Sequence, residues 1–449
     1  MLLSLLVSLA LLALPQTPAQ TPLAFPAPTA TTASGCQAEI KTFVDKENAA
    51  AGITGAPLTA ADRDKITQMQ RINTAKLAMT KACAAKLDAK TVADADLSAA
   101  LQLFADANLM DATQQVLTRA LAVKSTPAAR AALLAVAIPI ERRLAPANTD
   151  RVWRVANLYP TMEKHADELD ANTAATFEQK WGVHTYLESI YRGDDIDAGI
   201  IKHGQWIVAQ GDACAPQDRA KLGRQVVSAH VNMAEAYAGQ NMNDKALQLL
   251  GDATKKWGDI AGTADTVAPT LARYKLVGTK GAAITAPTWF NGPASKSLDL
   301  AAGKVTLLEF TAHWCGPCRE SYPGINRLRA KYGPQGFQVA LATRFWGYFG
   351  SDRNLSTDAE LAKDKTYFAE HEMSDVPVAI GPQVNAKVVN GKVVYEPQKD
   401  PNDVAYEVGG IPQIQLIDKH GVIRLIMVGY DNANEAKLSK VIEALLAEK

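Results

Sequence analysis

Three regimes of apolar and polar spacing divide the chain. Residues 1–14 form an uncharged, largely apolar run that breaks at Pro15 and gives way to a Pro-, Thr- and Ala-rich stretch lasting to about Gly35. From Cys36 to about Lys280, apolar residues recur at helical spacing among Ala, Gln, Lys and Glu with no strand-like alternation, which predicts helix after helix. Leu222, Val226, Met233 and Tyr237 share one helical face, Gly239 stops that helix, and Asp244 opens the next through Ala246, Leu249 and Leu250. The pattern changes after Gly281, where Ala286-Pro287 and Asn291-Gly292-Pro293 interrupt the chain. Beyond them an apolar strand over 305–311, a strand over 337–343, a helix over 358–371 and a strand over 376–380 alternate. A hairpin turning at Asn390-Gly391, strands over 413–418 and 422–428, and a closing helix from Asn434 complete an α/β sandwich pattern.

A chain of 449 residues exceeds what one core usually holds. The expected organisation is a signal peptide (1–20), a linker (21–35), an all-helical domain (36–280) built as a bundle or degenerate repeat array, and an α/β domain (285–449). Residues 1–14 are too short to cross ~30 Å of hydrocarbon comfortably. They read as an export signal, which makes the protein periplasmic or extracytoplasmic, with tethering by an uncleaved N-terminus as the alternative. Lys plus Arg and Asp plus Glu each total 47, so no net field attracts phosphate backbones or anionic lipid, and nucleic acid is excluded as a partner.

Export changes how the five cysteines read, because disulfides persist outside the cytoplasm. Cys36, Cys83 and Cys214 allow at most one internal pair. Cys36 with Cys83 is favoured because both flank the first helical hairpin, and three buried free thiols are the alternative. The other two form Cys315-Gly316-Pro317-Cys318 at a strand-to-helix junction. There the first sulfur meets unpaired helix amides and the positive dipole end, which lower its pKa below the free ~8.5. Cys315 is then the nucleophile, and Cys318, one turn further on, the resolving thiol. Gly316 permits the close turn, and Pro317 gives up an amide that would be unpaired in any case. The histidines show no metal-ligand spacing, and dithiol exchange calls for no cofactor or metal.

Trp314-Cys315-Gly316-Pro317-Cys318 resembles thioredoxin, and with the preceding signal the resemblance is to the exported TlpA/ResA-like thiol-disulfide oxidoreductases. It extends to Pro323, where the active-site helix kinks in that family, and to Gly410-Ile411-Pro412 before a strand. The resemblance covers about 165 residues and implies a thioredoxin fold for 285–449. It also implies a cis Ile411-Pro412 bond beside Cys315, and a substrate surface made by Trp314, Pro317, Gly410 and Ile411. Glu309 falls on the face shared with Val305 and Leu307 of a strand covered on both sides, where a carboxylate is costly. The resemblance implies a proton acceptor for Cys318, the alternative being an edge glutamate that reaches water.

The departures are specific. Ser321 stands where many relatives carry a second acid, and Glu320 precedes it. His313 is a candidate partner for the Cys315 thiolate. The 93 residues between Cys318 and Pro412 include Arg344-Phe345-Trp346-Gly347-Tyr348-Phe349, which either lines a substrate groove or packs in the core.

In the helical region, 233–253 (MAEAYAGQNMNDKALQLLGDA) resembles a tetratricopeptide repeat, with echoes at 101–121 and from Tyr191 onward. Phe104, Tyr191 and Tyr237 lie 87 and 46 residues apart, however, so a regular solenoid is not established. The expected function is an exported oxidoreductase that takes electrons from a membrane or periplasmic donor protein and reduces disulfides in partner proteins. The contrasting reading is a periplasmic helical binding or assembly protein with an accessory thioredoxin-like module and partners docked on its helices.

Overall fold

The computed structural model describes residues 23–53, 62–293, 295–389, 392–396, 400–430 and 432–448. The expected signal peptide and the Asn390-Gly391 turn lie outside them. The chain divides into two compact units, 1–183 and 184–449. No helix among the described residues is long and apolar enough to cross a membrane.

The first unit is helical: α1 Ala33–Ala50, α2 Arg63–Ala84, α3 Leu97–Asp106, α4 Met110–Ala122, α5 Pro127–Leu144 and α6 Tyr159–Ala171. Helix α1 starts where the Thr32 hydroxyl accepts from Gly35 N–H, and Asp96 accepts the Ala33 and Ser34 amides, so the first-turn donors have partners. Phe43, Met79, Leu101, Phe104 and Val116 are buried in one core. Cys36 and Cys83 are disulfide-bonded within it, joining α1 to α2 with a Cα–Cα distance of 5.9 Å. Closing a loop of 47 residues removes chain entropy worth about 4 kcal/mol from the unfolded state. Cys36→Ser is therefore expected to destabilise this unit by about 2–4 kcal/mol, measured by denaturant unfolding. An unchanged midpoint would mean that the bond contributes nothing to stability.

Helix α7, Phe177–Gly193, runs into the second unit, which continues with α8 Asp197–Asp212, α9 Arg219–Gly239, α10 Asn243–Trp257 and α11 Thr263–Lys275. On α9 the predicted face Leu222, Val226, Met233 and Tyr237 is buried. Three helical hairpins turn alike: Phe104, Tyr191 and Tyr237 are each followed four residues on by a residue in the left-handed region, Asn108, Asp195 and Asn241. In each, the aromatic residue's carbonyl accepts the N–H five residues on, from Leu109, Ile196 and Met242. Asn and Asp tolerate this backbone region better than most residues.

After α11 the chain pairs onto the edge of a sheet. Gly278 N–H donates to Ile423 O at 2.8 Å, and Ile423 N–H donates to Thr279 O at 2.9 Å. The sheet has six strands: β1 Thr288–Phe290, β2 Val305–Phe310, β3 Phe337–Arg344, β4 Val378–Gly381, β5 Gln413–Ile417 and β6 Ile423–Val428. Their order is β6-β5-β2-β3-β4-β1. The β2/β3 and β3/β4 pairs are parallel and the remaining pairs antiparallel. All six residues of β2 are buried, Thr306 and Glu309 among them, as expected for a strand covered on both faces. Helix α12, Gly316–Tyr332, contributes Tyr322, Ile325 and Leu328 to the buried core that also holds Val305, Leu307, Val339 and Leu341. The 358–371 helix is α13, Thr357–Glu370, and the closing helix is α14, Asn432–Ala447. Asn434 is therefore inside α14 and buried, and the sequence reading placed that start two residues late. A short helix, Pro401–Ala405, was not expected; the Asp400 carboxylate caps it by accepting Asn402 N–H at 2.8 Å.

Candidate functional site

Strand β2 ends at Phe310, and the chain turns through 311–315 into α12. Cys315 is the N-cap residue, its sulfur accepts Cys318 N–H at 3.2 Å, and Pro317 occupies the first turn. Cys315 and Cys318 are disulfide-bonded, with Cα atoms 5.2 Å apart. Cys318 is fully enclosed and Cys315 is 4 % exposed. Trp314 is 46 % exposed, and Pro317 is also at the surface.

The Ile411-Pro412 peptide bond is cis. It begins β5, the neighbour of β2, so the Ile411 carbonyl oxygen lies 3.7 Å from Cys315 Sγ. Pro412 O accepts Gly429 N–H at 2.8 Å, which ties this turn to the end of β6. Ahead of it, Gly410 lies against Val428. At Gly409 a Cβ would sit 2.4 Å from Arg273 Nη2, so the buried guanidinium of α11 fills the space beneath this turn. Arg273 Nε also donates to Glu407 O at 3.4 Å. Sequence reasoning missed Arg273, because its contact spans 134 residues and leaves no local pattern.

Glu309 is fully buried, which removes the alternative of an edge glutamate reaching water. Burial pushes its pKa up to about 8, and only the Ser321 hydroxyl acts against that. Ser321 Oγ lies 3.0 and 3.1 Å from the two carboxyl oxygens and 2.6 Å from Cys318 O. A hydroxyl has a single proton. With Glu309 protonated, the carboxyl donates to Ser321 and Ser321 donates to the Cys318 carbonyl, so every member is satisfied. Ser321 thus links the buried glutamate to the backbone of Cys318. Glu320 points to solvent.

His313 does not act as a cation beside Cys315. Desolvation lowers its pKa to about 4, leaving a neutral ring stacked on Phe349 at 4.6 Å and edge-on to Tyr348. Its Nδ1 lies 3.7 Å from Asp364 Oδ1, whose pKa burial raises to about 7. A neutral imidazole beside a carboxyl of that pKa is not an ion pair at neutral pH. The aromatic run of 345–349 divides its contacts: Tyr348 and Phe349 meet His313, whereas Trp346 packs on the Ala312, Cys315 and Cys318 cluster with Ile411. Among the described residues no group of three or more His, Cys, Asp or Glu is placed to hold a metal ion.

A Cys-Gly-Pro-Cys pair capping a helix, with a buried acid on the preceding strand and a cis-proline turn beside it, on a central strand flanked by parallel and antiparallel neighbours, defines a thioredoxin-like fold. The chain has thioredoxin-like thiol-disulfide oxidoreductases among its homologues. It is 28 % identical over 133 residues to the thioredoxin-like protein YneN of Bacillus subtilis (strain 168), an alignment covering 30 % of this chain and 61 % of that protein. It is 29 % identical over 127 residues to the thiol-disulfide oxidoreductase ResA of Geobacillus kaustophilus (strain HTA426), covering 28 % of this chain and 56 % of that one. The alignments thus span less than two thirds of these relatives' lengths. A DsbE-type thiol:disulfide interchange protein from Chlorobium tepidum aligns structurally over 38 % of this chain and 98 % of its own, with 26 % identity and a TM-score of 0.28. No protein-family model matches the chain.

Proposed function

We propose that the protein is an exported thiol-disulfide oxidoreductase that reduces disulfides in partner proteins, using Cys315 as nucleophile, Cys318 as resolving thiol and Glu309 as proton acceptor. The observation that carries this reading is the Cys315–Cys318 pair at the N-terminus of α12, with its outer sulfur 3.7 Å from the Ile411 carbonyl and the backbone carbonyl of Cys318 linked through the Ser321 hydroxyl to Glu309.

In the reduced protein, helix amides and the dipole favour thiolate at Cys315. The thiolate attacks one sulfur of the substrate disulfide, forming a mixed disulfide and releasing the other substrate sulfur as thiolate. Cys318 then gives its proton to Glu309, and its sulfur attacks Cys315. The second substrate thiol leaves and the Cys315–Cys318 disulfide closes. Two electrons pass to the substrate, its two thiolates take up protons from solvent, Glu309 returns the proton of Cys318 to solvent, and a dithiol donor protein restores the pair. Backbone groups of Gly410 and Ile411, with Pro412, would receive the substrate as an extended segment, flanked by Trp314 and Pro317.

Export through 1–20, a linker over 21–35, a helical domain over 36–280 and a redox domain over 285–449 are parts of the same proposal, as are periplasmic location and helical docking of partners. The redox titration of the Cys315–Cys318 pair tests the chemistry. Partners captured by 36–280 independently of the cysteines, with no titration at the pair, would favour a helical binding protein instead.

A further inference from the structure

The chain that leaves β3 brings Trp346 onto the redox pair. Trp346 packs on the cluster of Ala312, Cys315 and Cys318 together with Ile411, and its ring centroid lies 5.0 Å from that of Trp314 at 83°. The cysteines are therefore bordered by two indoles and the Ile411 side chain.

This position is built from several directions. Glu360 of α13 is wholly buried, and its carboxylate accepts Trp346 N–H at 2.6 Å and Gly347 N–H at 2.8 Å. Phe345 O accepts Val384 N–H at 2.8 Å, and Gly347 takes a positive φ of 75° that lets the chain turn away. Arg344 lies over the Trp346 ring at 5.0 Å, with its charge matched by Asp403 at 2.8 Å. Burial raises the pKa of Glu360, while the two amides stabilise its charged form.

We propose that Trp346 is a specificity-determining residue of the dithiol site, held in place by Glu360 as a positioning residue. It selects protein segments that carry an apolar or aromatic side chain next to the cysteine to be reduced. A flanking apolar group would cover the indoles and Ile411, whereas a charged one would lose its hydration against them. This inference rests on the disulfide-reductant reading above.

The test uses the pre-reduced full chain and two cyclic peptide disulfides that differ only in Leu or Asp before one cysteine. The readout is the ratio of their kcat/KM values, because any change in general thiol reactivity moves both peptides together. Wild type is expected to favour the Leu peptide by at least about tenfold, the scale on which apolar contacts discriminate. Trp346→Ala should bring the ratio close to one, mainly through KM for the Leu peptide. Glu360→Gln should lower it in the same direction, and Trp346→Phe should keep most of it. An intact ratio in Trp346→Ala, or no preference in a wild type that reduces both peptides, overturns the specificity assignment alone. Failure of wild type to reduce either peptide overturns it together with the dithiol reading.

Discussion

Cys318→Ser is expected to accumulate covalent mixed disulfides with protein substrates, while Cys315→Ser accumulates none. The two sulfurs differ in exposure and in what surrounds them: Cys315 is the N-cap of α12 and the outer sulfur, and Cys318 is fully enclosed behind it. Without Cys318, attack by Cys315 still proceeds but the intermediate has no internal thiol to resolve it. Without Cys315, the remaining thiol is buried and inaccessible to a macromolecular disulfide. Multiple turnover should fall by at least about three orders of magnitude in both variants, as when a covalent nucleophile is removed. Gel-shifted adducts that disappear on reduction distinguish the two. Adducts forming equally in both, or in neither, would reverse or remove the assignment of roles.

Glu309→Gln should slow resolution at neutral pH by about a hundredfold, the lower range of what a positioned base contributes. In wild type the rate should rise with pH through an inflection near 8 to a plateau above it, because the carboxyl accepts a proton only once ionised and burial holds its pKa at about 8. The variant should lack that inflection. Stability gives a second readout with a definite sign. Between the ordinary carboxylate value of 4.5 and about 8, native Glu309 keeps a proton that the unfolded chain has released. Unfolding then releases a proton, so stability falls as pH rises. The favourable contribution of the neutral carboxyl is complete below about 4.5 and is lost as pH climbs through about 8. Relative to Glu309→Gln, wild type should lose up to about 1.4 kcal/mol per pH unit in that window. Parallel pH-stability curves for the two proteins would show that Glu309 is not the perturbed group.

What the sequence made legible was local. The Cys-Gly-Pro-Cys motif, its place between a buried strand and a helix, and the α9–α10 hairpin each depend on residues within one or two turns of each other. Glu309 was legible because a carboxylate in an otherwise apolar strand conflicts with burial, and conflicts of that kind mark sites. The rest depends on distant contacts. Arg273 looks like an ordinary basic residue near a helix end, yet it lies beneath Gly409. Nothing in the sequence separates Glu360 and Asp364 from the other polar residues of their helix, yet both are buried, Glu360 against the chain that follows β3 and Asp364 beside His313. His313 was a candidate partner for the Cys315 thiolate, and its place two residues before Cys315 says nothing of the desolvation that lowers its pKa. Strand β1 escaped because three residues interrupted by nearby prolines carry little periodicity, and only pairing with β4 defines them.

The measurement that bears most directly on the account is an equilibrium redox titration of the full chain in defined thiol buffers, with alkylation and peptide mapping to report each cysteine. A single two-electron transition confined to Cys315 and Cys318 is expected, at a potential on the reducing side, near the ~−270 mV of thioredoxin, whose Gly-Pro spacer this motif shares. Cys315→Ser should abolish it. A pair that stays oxidised or reduced across the whole range would contradict a redox role and leave the helical units as the seat of function.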